Sequence, residues 1–135
     1  MRSKKIILDT NLWISFLISK RLNQLDNLLD SGKIVFIFSH ESIEEFLTVA
    51  KRPKLKKYFS NSDLNELIKL FDKYGKLVVV KSQLSLCRDI KDNFLLNLAV
   101  DSRSDYLITG DSDLLVLKNV SKTKICTLKD FLKEN

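Results

Sequence analysis

Short β-branched runs alternate with longer amphipathic segments along the whole chain, and that alternation leaves few folds open. Lys5 to Leu8, IVFIF (34–38), KLVVV (76–80), DYLIT (105–109) and KIC (124–126) read as strands, because strands buried on both faces are short and rich in Val and Ile. Between them the apolar spacing becomes helical. NLWISFLIS (11–19) has the apolar density of a buried helix, and Leu22, Leu25, Leu28 and Leu29 share one face of a second helix stopped by Gly32. Ser39 can cap a third, whose stripe is Ile43, Phe46, Leu47 and Ala50 and whose extent Pro53 limits. Leu64, Leu67, Ile68 and Phe71 mark a helix over 63–74 that Gly75 ends, and Leu95, Leu98, Ala99 and Ser102 face inward on one starting near Asp92. LLVLK and LKDFLKE complete the set as a short and a terminal helix. Strands alternating with helices predict an α/β fold with a parallel sheet, both faces covered, joined by right-handed crossovers.

A chain of 135 residues, 44% of them hydrophobic, can bury one ordinary core, so a single domain over 1–135 is expected. One Pro, three Gly and 30% charged residues exclude a disordered or low-complexity protein, and no repeat or linker is visible. Cys87 and Cys126 are too few for a disulfide framework and lack zinc-site spacing. LWISFLIS is too short to span a bilayer, so no membrane association and a reducing, cytoplasmic setting are expected. The formal charge of +6 favours a polyanionic partner. Lys51, Arg52, Lys54, Lys56 and Lys57, followed by Tyr58 and Phe59, would suit phosphate contacts beside a stacking surface, although a solvated helix end explains them equally well.

The chemistry lies in the acids. Asp9 ends the first strand, Asp111 and Asp113 follow the fourth, and Glu45 and Asp92 lie on helices that can border the same crevice. Ligands of open parallel sheets bind beyond the carboxyl ends of the strands. Carboxylates held close together raise one another's pKa and oppose folding. Divalent cations such as Mg²⁺, which take oxygen ligands, remove that penalty. Duller roles compete. Asp9 can cap the following helix, Asp89 and Asp92 can be cap and first-turn acid, and Glu41 and Glu44 rival Glu45. Of the pair after the fourth strand, Asp113 is the better cap candidate and Asp111 the better ligand. Thr10 and Asn11 can orient the Asp9 carboxylate or hold a water. No Ser/His or Cys/His set is evident, and the lone His40 reads as structural or surface.

Taken together, IILDTN, the Ser-initiated helix carrying EFLTVAKRP, CRDIKDNFLLNLA and DYLITGDSDLL resemble the PIN-domain family, most closely its single-domain VapC-like toxins of toxin–antitoxin pairs. That resemblance implies a three-layer α/β/α sandwich with a central, mainly parallel, roughly five-stranded sheet, and a Mg²⁺- or Mn²⁺-dependent endoribonuclease. It puts the catalytic acids on Asp9, Glu45, Asp92 and Asp111. One or two ions would be held by Asp9, Asp92, Asp111 and Asp113, with Asn11, Thr109 and Asp89 in support and water as the nucleophile. It further implies an RNA substrate, a small protein antitoxin and a homodimer. Two alternatives remain at this point. One is a catalytically silent RNA- or protein-binding module. The other is a Mg²⁺-dependent phosphatase forming an aspartyl-phosphate on Asp9, although such enzymes of the haloacid-dehalogenase type usually carry a second acid where Asn11 stands.

Overall fold

A computed structural model describes residues 3–19, 23–58 and 61–135. Leu22 and Phe59 lie outside these residues, and the side chains of Leu64 and Leu67 are likewise not described. The elements are β1 (Lys4–Leu8), α1 (Thr10–Ser19), α2 (Asn23–Asp30), β2 (Ile34–Phe38), α3 (His40–Ala50), α4 (Asn61–Tyr74), β3 (Gly75–Leu77), α5 (Ile90–Ser102), β4 (Tyr106–Ile108), α6 (Ser112–Leu115), β5 (Asn119–Val120), β6 (Thr123–Cys126) and α7 (Leu128–Glu134). They build one sheet of order β3-β2-β1-β4-β6-β5. Every pairing is parallel except β5 with β6.

Strand periodicity divides the core into the two halves of a three-layer α/β/α sandwich. Ile6, Leu8, Phe36, Phe38, Ile108 and Cys126 point to one face, where Trp13, Leu25, Leu29, Phe46, Phe71 and Phe131 pack on them. Ile7, Ile37, Leu107 and Ile125 point to the other, under Leu95, Leu96, Leu98 and Ala99 of α5 and Leu114 of α6. Neighbouring strand residues serve opposite faces because the side-chain period is two. Trp13 is the centre of the first face, edge-on to Phe36 at 4.7 Å and to Phe71 at 5.4 Å.

Several terminators act as expected. Ser39 caps α3 in a reciprocal box with Ser42, and Gly32 ends α2 with a φ of +74°. Three details depart from the sequence reading. KLVVV contributes only as far as Leu77 to the sheet, since β3 begins at Gly75, and Val78 and Val80 pack instead beneath α5. Gly75 is there for space rather than for a left-handed cap, because a Cβ would run into the Phe38 ring and come within 2.6 Å of the Phe71 carbonyl. A sixth strand, β5, was not foreseen. It has two residues, too few for any period, and exists because Lys118 and Ser121 take left-handed conformations that fold it back on β6.

From β3 to Lys81 the chain leaves the sheet and runs along α5 as an extended strap. Three α5 side chains at four-residue spacing hold its backbone. Asp101 accepts the N–H groups of Lys81 and Ser82, the Asn97 carbonyl accepts the Leu84 N–H at 2.7 Å, and Asn93 both accepts from and donates to Cys87. Residues that repeat at i, i+4 and i+8 share a helix face. The helix thus supplies the hydrogen bonds that a neighbouring strand would otherwise give. The strap delivers Cys87, Arg88 and Asp89 to the carboxyl end of the sheet.

Candidate metal centre

Strand order reverses direction at β1, since β2 and β3 lie to one side and β4 to the other. That switch point opens a crevice beyond the strand ends. Asp9 follows β1 there, and Asp111 follows β4. Both sit where a helix starts, so one carboxylate oxygen of each is spent on a cap. Asp9 Oδ1 accepts the Asn11 N–H at 3.2 Å, and Asp111 Oδ1 accepts the Asp113 N–H at 2.9 Å. The sequence reading is corrected here: Asp111, not Asp113, caps α6, because the helix begins at Ser112 and includes Asp113. Capping and facing the crevice turn out to be compatible, as a carboxylate has two oxygens.

Thr109 joins the two strand ends. Its hydroxyl donates to Asp9 Oδ2 at 2.8 Å and accepts the Asp111 N–H at 3.0 Å. Asp92, in the first turn of α5 after the Asp89 cap, comes in from the helical layer that also holds α6 and is only 6% exposed. Asp92, Asp111 and Asp113 each present an oxygen within 4.8 Å of the others. Burial, then a hydrogen bond with Asp111 and the charges of Asp111, Asp89 and Asp9, push the Asp92 carboxyl from 3.8 to about 7. Among the described residues no cation pairs with Asp9, Asp92 or Asp111. Without a cation, this crowding favours the protonated form of the Asp92 carboxyl.

Glu45 stands at the margin. Thr10 Oγ1 donates to it at 3.3 Å, and Lys91 Nζ lies 3.5 Å from its other oxygen. Its rival Glu44 lies on the solvent side, 3.4 Å from His40, and Glu41 is exposed. Asn11 gives its backbone N–H to Asp9, and Asp89 caps α5 while its charge acts on Asp92. Lys51, Arg52, Lys54, Lys56 and Lys57 are exposed beyond the C-terminus of α3. Lys51 alone is six positions past Glu45, about 9 Å along the helix axis.

Sequence reasoning missed the cations near the acids. Arg88 Nη2 lies 4.0 Å from Asp113, and Lys91 pairs with Glu45 as described. The signal lies in CRDIKDN, where both bases alternate with the acids. Cys87 also borders the cluster, its thiol pushed up by burial and by Asp92, Asp113 and Asp111.

A cluster of hard oxygen donors at the switch point of a parallel sheet has the chemistry to suit a divalent cation. Comparison with known proteins agrees: a PIN-domain family profile matches residues 5–113. The chain is 31% identical over 143 aligned positions to the uncharacterized protein MJ1680 of Methanocaldococcus jannaschii, covering 96% of this chain and 90% of that one. Its fold is similar to the PIN domain of human SMG5, with a TM-score of 0.51 at 15% identity over 96% of this chain and 97% of that one. The chain belongs to the PIN-domain family, whose members are generally nucleases that use divalent metals. No helix among the described residues is long and apolar enough to cross a membrane.

Proposed function

We infer that this protein is a Mg²⁺- or Mn²⁺-dependent endoribonuclease that hydrolyses RNA phosphodiester bonds. The observation that carries the reading is the buried Asp92, pushed to about 7 first by its burial and then by acids that include two from other segments of the chain. Folding has concentrated negative charge there, and the caps made by Asp9, Asp89 and Asp111 do not account for burying Asp92 among them.

The donor set fits a hard divalent ion. Asp92, Asp111 and Asp113 would hold it, with Asp9 close enough to act on Asp92. When bound, the ion would acidify water and offset charge developing on the phosphate. The chain's own residues do the rest. Thr109 fixes the Asp9 carboxylate and ties β1 to β4, so that the acids approach the ion from a rigid sheet edge. Thr10 turns Glu45 toward the site, where Glu45 can accept a proton from water or substrate. Leu95 and Leu98, buried beside Asp92, limit water on that side.

A role as the toxin of a toxin–antitoxin pair, with a protein antitoxin and a homodimeric assembly, rests on the VapC-like motif resemblance. Membership of the PIN family lends nothing to the phosphatase alternative. The deciding experiment compares purified wild type with Asp9→Asn and Asp92→Asn on RNA, in Mn²⁺ and in EDTA. Wild type is expected to cut only with metal, and each variant to lose more than about 100-fold, beyond what outer-shell changes produce. Metal-independent cutting, or full turnover by folded variants, refutes the assignment. Growth arrest on expression, relieved by the product of a neighbouring gene, would test the toxin role.

A further inference from the structure

Beside the acids, α3 and α5 enclose a cleft of about 200 Å³. Leu95 and Leu98 form its floor, half-buried Phe94 a wall, and Ile90 a lip that is 80% exposed. Glu45 and Lys91 border this cleft and are next to residues of the acid site, since Glu45 accepts from Thr10, which follows Asp9, and Lys91 precedes Asp92. Lys91 stands at one margin, paired with Glu45, and Arg88 at another, beside Asp113. Both cationic heads are more than half exposed, and exposed pairs of this kind hold weakly. A divalent ion held by Asp113 would compete with the Arg88 pair, and the weak hold of Glu45 on Lys91 leaves that cation available to phosphate as well.

We propose that this first turn of α5 is the substrate track: Arg88 and Lys91 take backbone phosphates of single-stranded RNA, and the Ile90–Phe94 cleft takes one unpaired base. The inference rests on the nuclease reading for its chemistry, while binding itself does not need cutting. Charge and shape argue for this occupant together. Phosphates meet the two cations, and an apolar slot with an aromatic wall suits the face of a base. A base stacked in a duplex cannot present that face, which selects single strands over A-form helices. Glu41 on the α3 side offers an acceptor to the base edge.

The test uses the full chain carrying Asp9→Asn in Mn²⁺ and follows anisotropy of a labelled unstructured RNA. The same strand is measured annealed to its complement, and again with one abasic position. The single strand should bind at least tenfold more tightly than the duplex. Adding Arg88→Ala and Lys91→Ala together should reduce the slope of log affinity against log salt by about 1.4, two contacts at about 0.7 each. Adding Ile90→Asp should weaken binding roughly 5- to 100-fold and erase the loss caused by the abasic position. All three side chains are exposed, and circular dichroism verifies folding. Equal affinity for duplex and single strand, or an unchanged salt slope, overturns the proposal. If wild type never cuts RNA but these binding dependences appear, the nuclease reading fails and this one stands. If both variants, with Asp9 restored, cut RNA at the wild-type KM, this one fails and the nuclease reading stands.

Discussion

Thr109 gives its hydroxyl hydrogen to Asp9, 100 positions away in the chain, and takes the Asp111 N–H on the same oxygen. One buried hydroxyl therefore sets the spacing of two acids on neighbouring strand ends. Thr109→Val keeps the shape and removes both bonds. The expected result is a 10- to 100-fold loss of Mn²⁺ affinity and RNA cleavage, the range for residues that orient metal ligands. Calorimetric titration and cleavage assays on the folded variant check it. Unaltered metal affinity would show that Asp9 needs no such support.

Asp92 ties stability to pH. Its folded-state pKa of about 7 exceeds the ordinary 3.8, so between these values the folded protein binds more protons than the unfolded chain. Metal-free stability should therefore fall as pH rises from about 4 to 7, by an amount on the order of 2–4 kcal/mol. Asp92→Asn should flatten that slope and raise the Tm of the metal-free protein near pH 8. A cation must displace the proton, so the Tm gain from Mn²⁺ in wild type should be larger at pH 8 than at pH 5.5. Thermal melts across pH, with Mn²⁺ and with EDTA, decide the matter.

The strap depends on α5 side chains rather than on a strand. Asn97 is 7% exposed and accepts the Leu84 N–H while donating to the Leu84 carbonyl. Asn97→Ala leaves those backbone groups unmatched and should destabilise the protein by about 1–3 kcal/mol. Urea unfolding measures the loss. Limited proteolysis should also show faster cleavage between 81 and 87, and unchanged protection there would mean that the ladder does not hold the strap.

Gly75 has no room for a methyl group. Gly75→Ala drives a Cβ against Phe38 and the Phe71 carbonyl, within the aromatic cluster around Trp13. Overpacking of this kind costs about 1–3 kcal/mol. Gly110→Ala is the internal control, because nothing lies within 4 Å of its added Cβ. A similar Tm for the two variants would contradict the packing described for β3.

Much of the architecture was legible because it rests on local periodicity. IVFIF and the stripe of α3 announce their own burial, and Ser39 and Gly32 mark helix ends by their own chemistry. Asp9 and Asp111 were also legible as strand-end residues in a βα pattern. β5 was not, because a two-residue strand exists only once β6 is there to pair with it. The assignment of the α6 cap to Asp111 rather than Asp113 likewise turned on where the backbone began to coil. Periodicity could not separate Glu45 from Glu44, since adjacent helix positions differ by only about 100° and the position of the crevice decides between them.

The sequence by itself determined the α/β order, the two-sided core and the kinds of atoms available for the site, since these follow from residue type and spacing along one segment. Tertiary structure alone decided that Thr109 reaches Asp9, that Asp92 is buried against Asp111, and that Arg88 and Lys91 stand beside the acids. Distances between segments far apart in the chain depend on sheet order and helix packing, which no local pattern encodes.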